Sequence, residues 1–116
     1  MALRRGDIYW VDLDPTKGHE IRKTRPTVIV SNDVSNEYSG IVTVIPLTSK
    51  VQNKKVYPFE VLVPEGVANF PSDSKAGANQ IRTVDKLRLR GFVGRLPDRW
   101  MAQVDRAIKI HLALRD

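Results

Sequence analysis

The chain has 116 residues and a formal charge of +6 at pH 7, and it contains no cysteine. This length supports one domain, residues 1–116, with one core, and the lack of cysteine excludes disulfides, thiol nucleophiles and thiolate zinc sites. The apolar fraction of 41% and the charged fraction of 28% are typical of a soluble globular protein. The positive charge favours a polyanionic partner, because each phosphate that Lys or Arg neutralises releases counterions.

No apolar run is long enough to span a membrane, and the N-terminal residues turn polar at once. We therefore expect no leader and a cytoplasmic location. Metal chemistry is not expected either. The two histidines, His19 and His111, are far apart and leave no recognisable zinc ligand set. Asp12 and Asp14 have a spacing that can bind Mg²⁺, but Pro15 follows at once and a turn explains Asp14 better. The sequence thus predicts neither a metal nor a cofactor.

The apolar residues come in short runs separated by Gly, Pro, Asn and Asp, a pattern typical of many short strands. Most of the domain is therefore expected to be β. The predicted strands are residues 8–13, 27–31, 41–47, 59–63, 78–82 and 91–95. A tight turn is predicted at residues 14–18, and the segment 32–40 can hold one short helical turn.

One long helix is predicted from near Pro97 to about Leu114. Proline suits the first helical position, and Asp98 stabilises the positive end of the helix dipole. The apolar residues that fall at helical spacing on the expected core face are Met101, Val104, Ile108 and Leu112. Ile110 and Leu114 lie outside that face, so either the last turn is buried on a second side or it contacts another subunit, and we favour the subunit contact. The alternation at residues 108–112 would also suit a strand.

A polar cluster in the first half of the chain has the composition of a phosphate site without a metal. Arg25 follows a polar turn and carries a permanent charge with a planar donor fork that suits phosphate oxygens. Thr48 ends a later apolar strand and offers a hydroxyl. The turn itself contains His19 and Glu20, whose side chains can transfer protons. Together these residues are the parts needed to cleave RNA.

Five ordered segments include these residues: RGDIYW at 5–10, LDPTKGHE at 13–20, TRPTVIV at 24–30, VIPLTS at 44–49 and NQIRTVD at 79–85. They resemble the MazF/PemK/Kid family of bacterial toxin endoribonucleases, and the resemblance covers nearly the whole chain. It implies a mainly β (α+β) fold, an SH3-like small β-barrel with a C-terminal α-helix of the CcdB/PemK-like toxin type. It also implies a homodimer.

The resemblance further implies the activity and the partners. The expected protein is a sequence-specific, metal-independent endoribonuclease that cleaves single-stranded mRNA by 2′-hydroxyl attack, leaving cyclic phosphate and 5′-hydroxyl ends. As the toxin of a type II toxin–antitoxin system it would inhibit translation and growth. Its implied partner is a cognate acidic, MazE-like antitoxin, whose disordered segment folds over the active-site groove and with which it binds DNA.

Within that family, the Arg and Thr that match Arg25 and Thr48 are the principal catalytic residues, and some members also use the His that matches His19. The residues expected to bind substrate are Lys17, Pro46, Ser49, Lys50, Ser74, Asn79 and Gln80. The amides of Asn79 and Gln80 can read base edges. The rings that could stack on bases, with core packing as the alternative, are those of Tyr57, Phe59 and Phe70.

The chain departs from the family at two places. Residues 21–24 are Ile-Arg-Lys-Thr where many members have Gln and Gly, which changes the flexibility and charge of the loop. Asn79 stands where the family often has an acidic residue, and an amide cannot act as acid or base. This puts more weight on His19 and Glu20 for proton transfer.

Each assignment has an alternative. Arg25 could be a surface charge with an ion-pair partner, Thr48 could cap a strand end, His19 could be an ordinary loop residue, and the Glu20 carboxylate could anchor its loop. Two other functions remain open. One is a toxin of the same fold that acts on a protein such as DNA gyrase, as CcdB relatives do. The other is a non-catalytic RNA-binding barrel. Neither requires Arg25 and Thr48 together.

Overall fold

The computed structural model describes residues 2–49 and 55–115. Within these residues, seven strands form one antiparallel sheet, which a C-terminal helix follows in the chain. The strands are β1 (Asp7–Asp12), β2 (Thr24–Ile29), β3 (Ile41–Thr48), β4 (Glu60–Val63), β5 (Ser74–Gly77), β6 (Arg82–Asp85) and β7 (Leu89–Arg95). The helices are α1 (Asp33–Tyr38) and α2 (Asp98–His111), and short 3₁₀ turns lie at Val67–Asn69, Ala78–Gln80 and Lys86–Arg88. None of the helices in this part of the chain is long and apolar enough to cross a membrane.

Strand β3 is the centre of the sheet, because it pairs with three other strands. The strand order is β4-β5-β3-β2-β1-β7, and β6 pairs with β3 off this path. One edge of β3 pairs with β2, while the other pairs with β6 at residues 41–44 and with β5 at residues 47–48. Pro46, which has no N–H to donate, lies between those two partners. Among the described strands, β4 and β7 at the ends of the order do not pair, so the sheet is barrel-like without being closed.

The sheet buries apolar side chains on both faces, because successive side chains of a strand point to opposite sides. On the first, here called the helix face, the sheet residues Ile8, Val28, Ile45 and Leu47 pack with Met101, Val104 and Ala107 of α2. On the second, the loop face, the buried residues are Val11, Leu13, Ile29, Val42, Val44 and Val84. Neighbours in one strand, such as Val28 and Ile29, therefore belong to different cores.

The strand predicted at residues 78–82 is wrong. Ala78–Gln80 forms a 3₁₀ turn between β5 and β6, and the Ile81 N–H closes it by donating to the Ala78 carbonyl at 3.1 Å. The turn is needed because β5 and β6 pair with different parts of β3. Strand β2 begins at residue 24 rather than 27, since Thr24 pairs with Asp12 of β1. The short helical turn predicted within residues 32–40 is confirmed by α1.

Helix α2 ends at His111, whereas the sequence predicted about Leu114. The chain reverses just after it. The Leu114 N–H donates to the Lys109 carbonyl at 2.8 Å, and Ala113 adopts a φ of 58°. These are features of a Schellman turn, which usually has glycine at the left-handed position. The helical spacing predicted that Leu112 is buried, but it is 49% exposed because the helix stops there.

Candidate active site

The pairing of β2 with β3 brings Arg25 and Thr48 to the same end of the sheet. The paired residues are Thr27 with Pro46, Val28 with Ile45, and Ile29 with Val44. Continuing this register by two residues places Arg25 opposite Thr48. Residues that face each other across an antiparallel pair project to the same side of the sheet. By strand alternation from Ile29 and Val44, that side is the loop face.

The guanidinium of Arg25 is only partly engaged by the protein. Its Nε donates to the carbonyl oxygen of Arg22 at 2.9 Å, which fixes the direction of the side chain. None of the four ion pairs among the described residues includes Arg25. The surface-charge alternative requires an ion-pair partner, and the described residues do not supply one. The terminal nitrogens are therefore available to hold an anion by two parallel hydrogen bonds.

Thr48 is half-buried at the end of β3 and pairs with Lys75 of β5. The charge of Lys75 is already used, because its Nζ lies 3.2 Å from the Glu60 carboxylate and donates to the Lys55 carbonyl at 2.7 Å. Among the cations at these strand ends, Arg25 is thus better placed than Lys75 to meet an incoming phosphate. Thr48 contributes a hydroxyl beside it.

The loop between β1 and β2 carries His19 on the loop face, where Ile21 packs against the core. Gln80 fixes this loop with both ends of its amide. Its Oε1 accepts a hydrogen bond from the Ile21 N–H at 3.1 Å, and its Nε2 donates to the His19 carbonyl at 3.2 Å. The side chain of His19 remains exposed. Gln80, which the sequence assigned to substrate binding, therefore also positions the loop that contains a candidate catalyst.

The carboxylate of Glu20 is used within its own turn. It accepts the Lys17 N–H at 2.6 Å, and the Glu20 N–H donates to the Lys17 carbonyl at 3.1 Å. Gly18, with a φ of 54°, permits the tight path between them. A carboxylate held in this way anchors the loop, which favours His19 over Glu20 as the proton-transfer group. Lys17 is exposed at the outer edge of the same turn.

Three arginines that sequence reasoning missed hold the first part of this loop. Arg82 donates to the Leu13 carbonyl at 3.1 Å, and Arg88 donates to the carbonyls of Asp12, at 3.1 Å, and Asp14. Arg90 lies 3.4 Å from the Asp12 carboxylate. Asp12 and Asp14 are therefore committed to loop structure. Within the part of the chain that the structure describes, no three His, Asp or Glu side chains cluster in a way that could hold a metal ion.

A cavity of about 510 Å³ opens beside Arg25. Ser49 and Ser74, both predicted to bind substrate, line it together with Trp10 and Phe70. Trp10 was missed by the sequence analysis although its ring is 44% exposed. Residues 8–11 are a continuous apolar run, Ile-Tyr-Trp-Val, in which nothing marks Trp10 as the exposed member.

Two other candidate substrate-binding residues, Pro46 and Asn79, do not line the cavity. Pro46 is buried within β3, and Asn79 is exposed in the turn next to Gln80. Lys50 lies outside the described residues. Of the three rings considered for base stacking, Phe70 is buried in the core, Phe59 is partly buried, and the exposed Tyr57 stacks on Phe59 with ring centroids 5.6 Å apart.

Known protein families and curated relatives match nearly the whole chain. Residues 4–112 match the family described as PemK-like, MazF-like toxin of type II toxin-antitoxin system. The chain is 44% identical to Endoribonuclease MazF9 of Mycobacterium tuberculosis, over 97% of this chain and 98% of the relative. It is 38% identical to Endoribonuclease EndoA of Bacillus subtilis, over 100% of this chain and 99% of the relative.

Among solved structures, the fold is similar to that of MazF from Deinococcus radiodurans. The TM-score is 0.83 at 24% identity, over 98% of this chain and 99% of that chain. This similarity confirms the predicted fold class, a mainly β toxin fold with a C-terminal helix. The chain belongs to the PemK/MazF family of toxins of type II toxin–antitoxin systems.

Proposed function

We propose that this protein is a sequence-specific endoribonuclease that cleaves single-stranded mRNA without a metal ion, and that it is the toxin of a type II toxin–antitoxin pair. The relatives MazF9 and EndoA are named endoribonucleases, which supports the enzyme class. The observation that carries the proposal is the register that places Arg25 opposite Thr48, beside the loop of His19. Cleavage of mRNA in the cytoplasm would inhibit translation and growth.

The proposed reaction is an internal attack of the ribose 2′-oxygen on the adjacent phosphorus. The bond from phosphorus to the 2′-oxygen forms, and the bond to the 5′-oxygen breaks. The 2′-hydroxyl gives up its proton, and the departing 5′-oxygen takes one. The products are a 2′,3′-cyclic phosphate and a free 5′-hydroxyl end. The enzyme must therefore stabilise extra negative charge on the phosphate oxygens and move protons at two positions.

Arg25 supplies the charge stabilisation. Because its Nε is held by the Arg22 carbonyl, its terminal nitrogens are fixed in advance of the reaction. Hydrogen-bond donors that are preorganised where charge develops often contribute more to catalysis than any other group, and removing one costs about 2.7–4 kcal/mol in similar sites. Arginine stays protonated at ordinary pH, so Arg25 is not the base.

Thr48 and His19 complete the proposed set. The Thr48 hydroxyl lies on the same side of the sheet as Arg25 and orients the 2′-hydroxyl or donates to a phosphate oxygen. His19, with its side chain exposed on a loop that Gln80 fixes, takes the proton from the 2′-hydroxyl and returns one to the 5′-oxygen. Glu20 supports it indirectly by closing the turn.

The substrate-binding role is assigned to the polar groups around these strand ends. Ser49 and Ser74 face the cavity, while Lys17 and Asn79 are exposed near the loop that carries His19. Lysine at an exposed loop binds the RNA backbone without reading its sequence. Asn79 offers an amide for a base edge, since its side chain makes no hydrogen bond to the described residues.

Two protein partners belong to the proposal. The family description names a toxin–antitoxin system, and a chain with a charge of +6 suits an acidic antitoxin segment that folds over the active-site groove. A second copy of the chain would cover the apolar end of α2. The side chains exposed there are Ile110, Leu112 and Leu114.

The proposal is tested by incubating the purified protein with a long unstructured RNA in EDTA and mapping the cut ends. Wild-type protein should cut at a short motif and leave 5′-hydroxyl ends. Arg25→Ala should lower the rate by about 10²–10³, and Thr48→Ala should lower it as well. Arg106→Ala is the matched control, because it removes the same charge from an exposed position on α2 and should cut at the wild-type rate.

Other results would contradict specific parts of the proposal. Cleavage that EDTA abolishes would refute the metal-free mechanism. Binding of RNA without cleavage, with or without Mg²⁺, would leave a non-catalytic RNA-binding protein. An equal loss in Arg25→Ala and Arg106→Ala would show that only net charge matters.

A further inference from the structure

The cavity beside Arg25 takes no part in the proton transfers and bond changes proposed above, although Ser49 and Ser74 in its lining are assigned to substrate binding. It opens onto the same strand ends. We propose that it is a binding pocket for one nucleobase of the RNA, next to the phosphate that Arg25 holds. This inference deepens the proposed function and rests on it for the identity of the polymer. It assigns Trp10 as the stacking platform and Asn69 as a hydrogen-bonding group for the edge of the base.

The sheet register puts the pocket one residue away from the proposed catalytic pair. Trp10 pairs with Pro26, and both lie on the helix face because they alternate with residues of the loop face. Arg25 precedes Pro26 and lines the cavity itself. Neighbouring residues of a strand are about 3.3 Å apart along its axis. A nucleotide whose phosphate contacts Arg25 can therefore place its base in the cavity.

The lining of the cavity suits a flat, neutral group that carries hydrogen-bonding edges. Trp10, Phe70 and Val93 make apolar walls, and the polar groups are the hydroxyls of Thr24 and of serines and the amide of Asn69. Among the described residues that line it, Arg25 is the only charged one. An apolar side chain of a protein partner would not use the hydrogen-bonding capacity that these polar groups still have. A base attached to an anionic backbone matches both the walls and the charge.

The rim of the cavity contains a strained segment of backbone. Ala68 and Asn69 are successive non-glycine residues with left-handed φ values of 52° and 68°. Such a conformation costs about 1–2 kcal/mol per residue, and strain of this kind concentrates at ligand-binding segments. Strand β7 holds the segment in place. A Cβ on Gly94 would lie 2.7 Å from the Ala68 carbonyl oxygen, so only glycine allows this contact.

The hydrogen bonds of Asn69 determine what its amide can offer to a base. Its Nδ2 donates to the Val93 carbonyl at 3.3 Å, which leaves Oδ1 as an acceptor directed by that bond. An acceptor at this position can accept a hydrogen bond from the exocyclic amino group of adenine, cytosine or guanine, or from the N3–H of uracil. We therefore expect Asn69 to contribute one hydrogen bond to the base that the pocket holds.

The test measures binding separately from cleavage. The probes are 2′-deoxy tetranucleotides of A, C or U, which cannot undergo 2′-hydroxyl attack, and the readouts are tryptophan fluorescence and Kd. Binding of at least one of these probes should quench the fluorescence of the wild type, and the signal should be lost in Trp10→Phe, which keeps a ring. Trp10→Ala should raise Kd roughly tenfold to a hundredfold, the usual effect of removing a stacking platform. Trp10→Phe should keep most of the affinity.

Asn69→Gly removes the amide while allowing the left-handed backbone. It should raise the Kd of the probe that binds the wild type most tightly by roughly fivefold, the equivalent of one hydrogen bond. In cleavage assays with random-sequence RNA, Trp10→Ala should raise KM much more than it lowers kcat. Tyr38→Ala is the control. It removes an aromatic side chain that is 81% exposed and lies in α1, the helix between β2 and β3, and it should change none of these values.

The failures can be told apart. If Trp10→Ala cuts the same motif with unchanged KM, the base pocket is refuted while the nuclease stands. If the wild type never cuts but binds probes in a Trp10-dependent way, the pocket stands and the proposed reaction fails. If Trp10→Ala cuts normally but escapes inhibition by an acidic antitoxin peptide, the cavity takes a side chain of the partner, which also refutes the base pocket.

Discussion

Gln80 should control how well the loop that carries His19 is held on the sheet. Gln80→Ala removes the two hydrogen bonds from Ile21 and to His19, of 3.1 and 3.2 Å. At about 1 kcal/mol for each neutral bond, the closed loop loses about 2 kcal/mol. That corresponds to an increase of about 30-fold in the population of open loop. Because the bonds are local, the unfolding temperature of the whole domain should change little.

Limited trypsin digestion measures that population directly, because the loop contains the cleavable residues Lys17, Arg22 and Lys23. When the loop closes faster than the protease cuts, the rate of cutting follows the open fraction. Gln80→Ala should be cut within residues 17–23 about 30-fold faster than the wild type. Gln80→Glu keeps the acceptor for the Ile21 N–H but loses the donor to the His19 carbonyl. It should be cut at a rate between those of the wild type and Gln80→Ala.

Asn79→Ala is the matched control, since it removes the neighbouring amide, which makes no hydrogen bond to the described residues. If Gln80→Ala is cut no faster than this control, the arginine contacts at the start of the loop hold it alone and the reasoning fails. The kcat for RNA should fall in the same order as loop protection. An unchanged kcat in Gln80→Ala would show that the proposed reaction does not need His19 in this position.

Two further predictions concern stability. Ala113→Gly should raise the free energy of unfolding, measured in urea at fixed protein concentration, by about 0.5–1 kcal/mol. Glycine removes the penalty of the left-handed conformation at φ 58°, and this gain exceeds the extra entropy of glycine in the unfolded chain. A lower free energy of unfolding would contradict this. The Asp33 carboxylate accepts hydrogen bonds from the Arg5 N–H, which has the larger effect, and from the Asn36 side chain, and both lower its pKa below the usual 3.8. Because the folded-state pKa of Asp33 lies below its unfolded value of 3.8, the contribution of these hydrogen bonds to the free energy of unfolding is present above pH 3.8. It is lost as the pH falls through the folded-state pKa. Asp33→Asn should therefore flatten the fall of the urea midpoint between about pH 5 and pH 2.

The sequence was most informative where a local pattern determines the structure. Short apolar runs located β1 and β3, and helical spacing located α2. Arg25 and Thr48 were proposed as a pair from the chemistry of their side chains and from the resemblance of the segments that contain them to the toxin family. Their placement opposite each other follows from the register of β2 and β3, which strand prediction alone does not specify.

What the sequence missed depends on contacts between distant segments. Arg82, Arg88 and Arg90 bind loop groups that are 69 to 78 residues away in the chain, and no local pattern marks such contacts. Trp10 faces a cavity only because residues 68 and 69 cross β7 at Gly94. The strand predicted at residues 78–82 failed for a similar reason, since the change of partner along β3 requires a turn there.

The alternation of β2 gives the proposed enzyme two separable functions at one place. By alternation the side chain of Arg25 belongs to the loop face, with Thr48 and the loop of His19, although Arg25 also lines the cavity; Pro26 belongs to the helix face, with Trp10. A substitution of Thr48 or His19 should act on kcat for every RNA sequence, whereas a substitution of Trp10 should act on KM in a sequence-dependent way. A variant of this protein with an altered cavity lining, Arg25 excepted, should therefore change its target motif without losing the residues proposed to cleave, because consecutive residues of one strand point to opposite sides of the sheet.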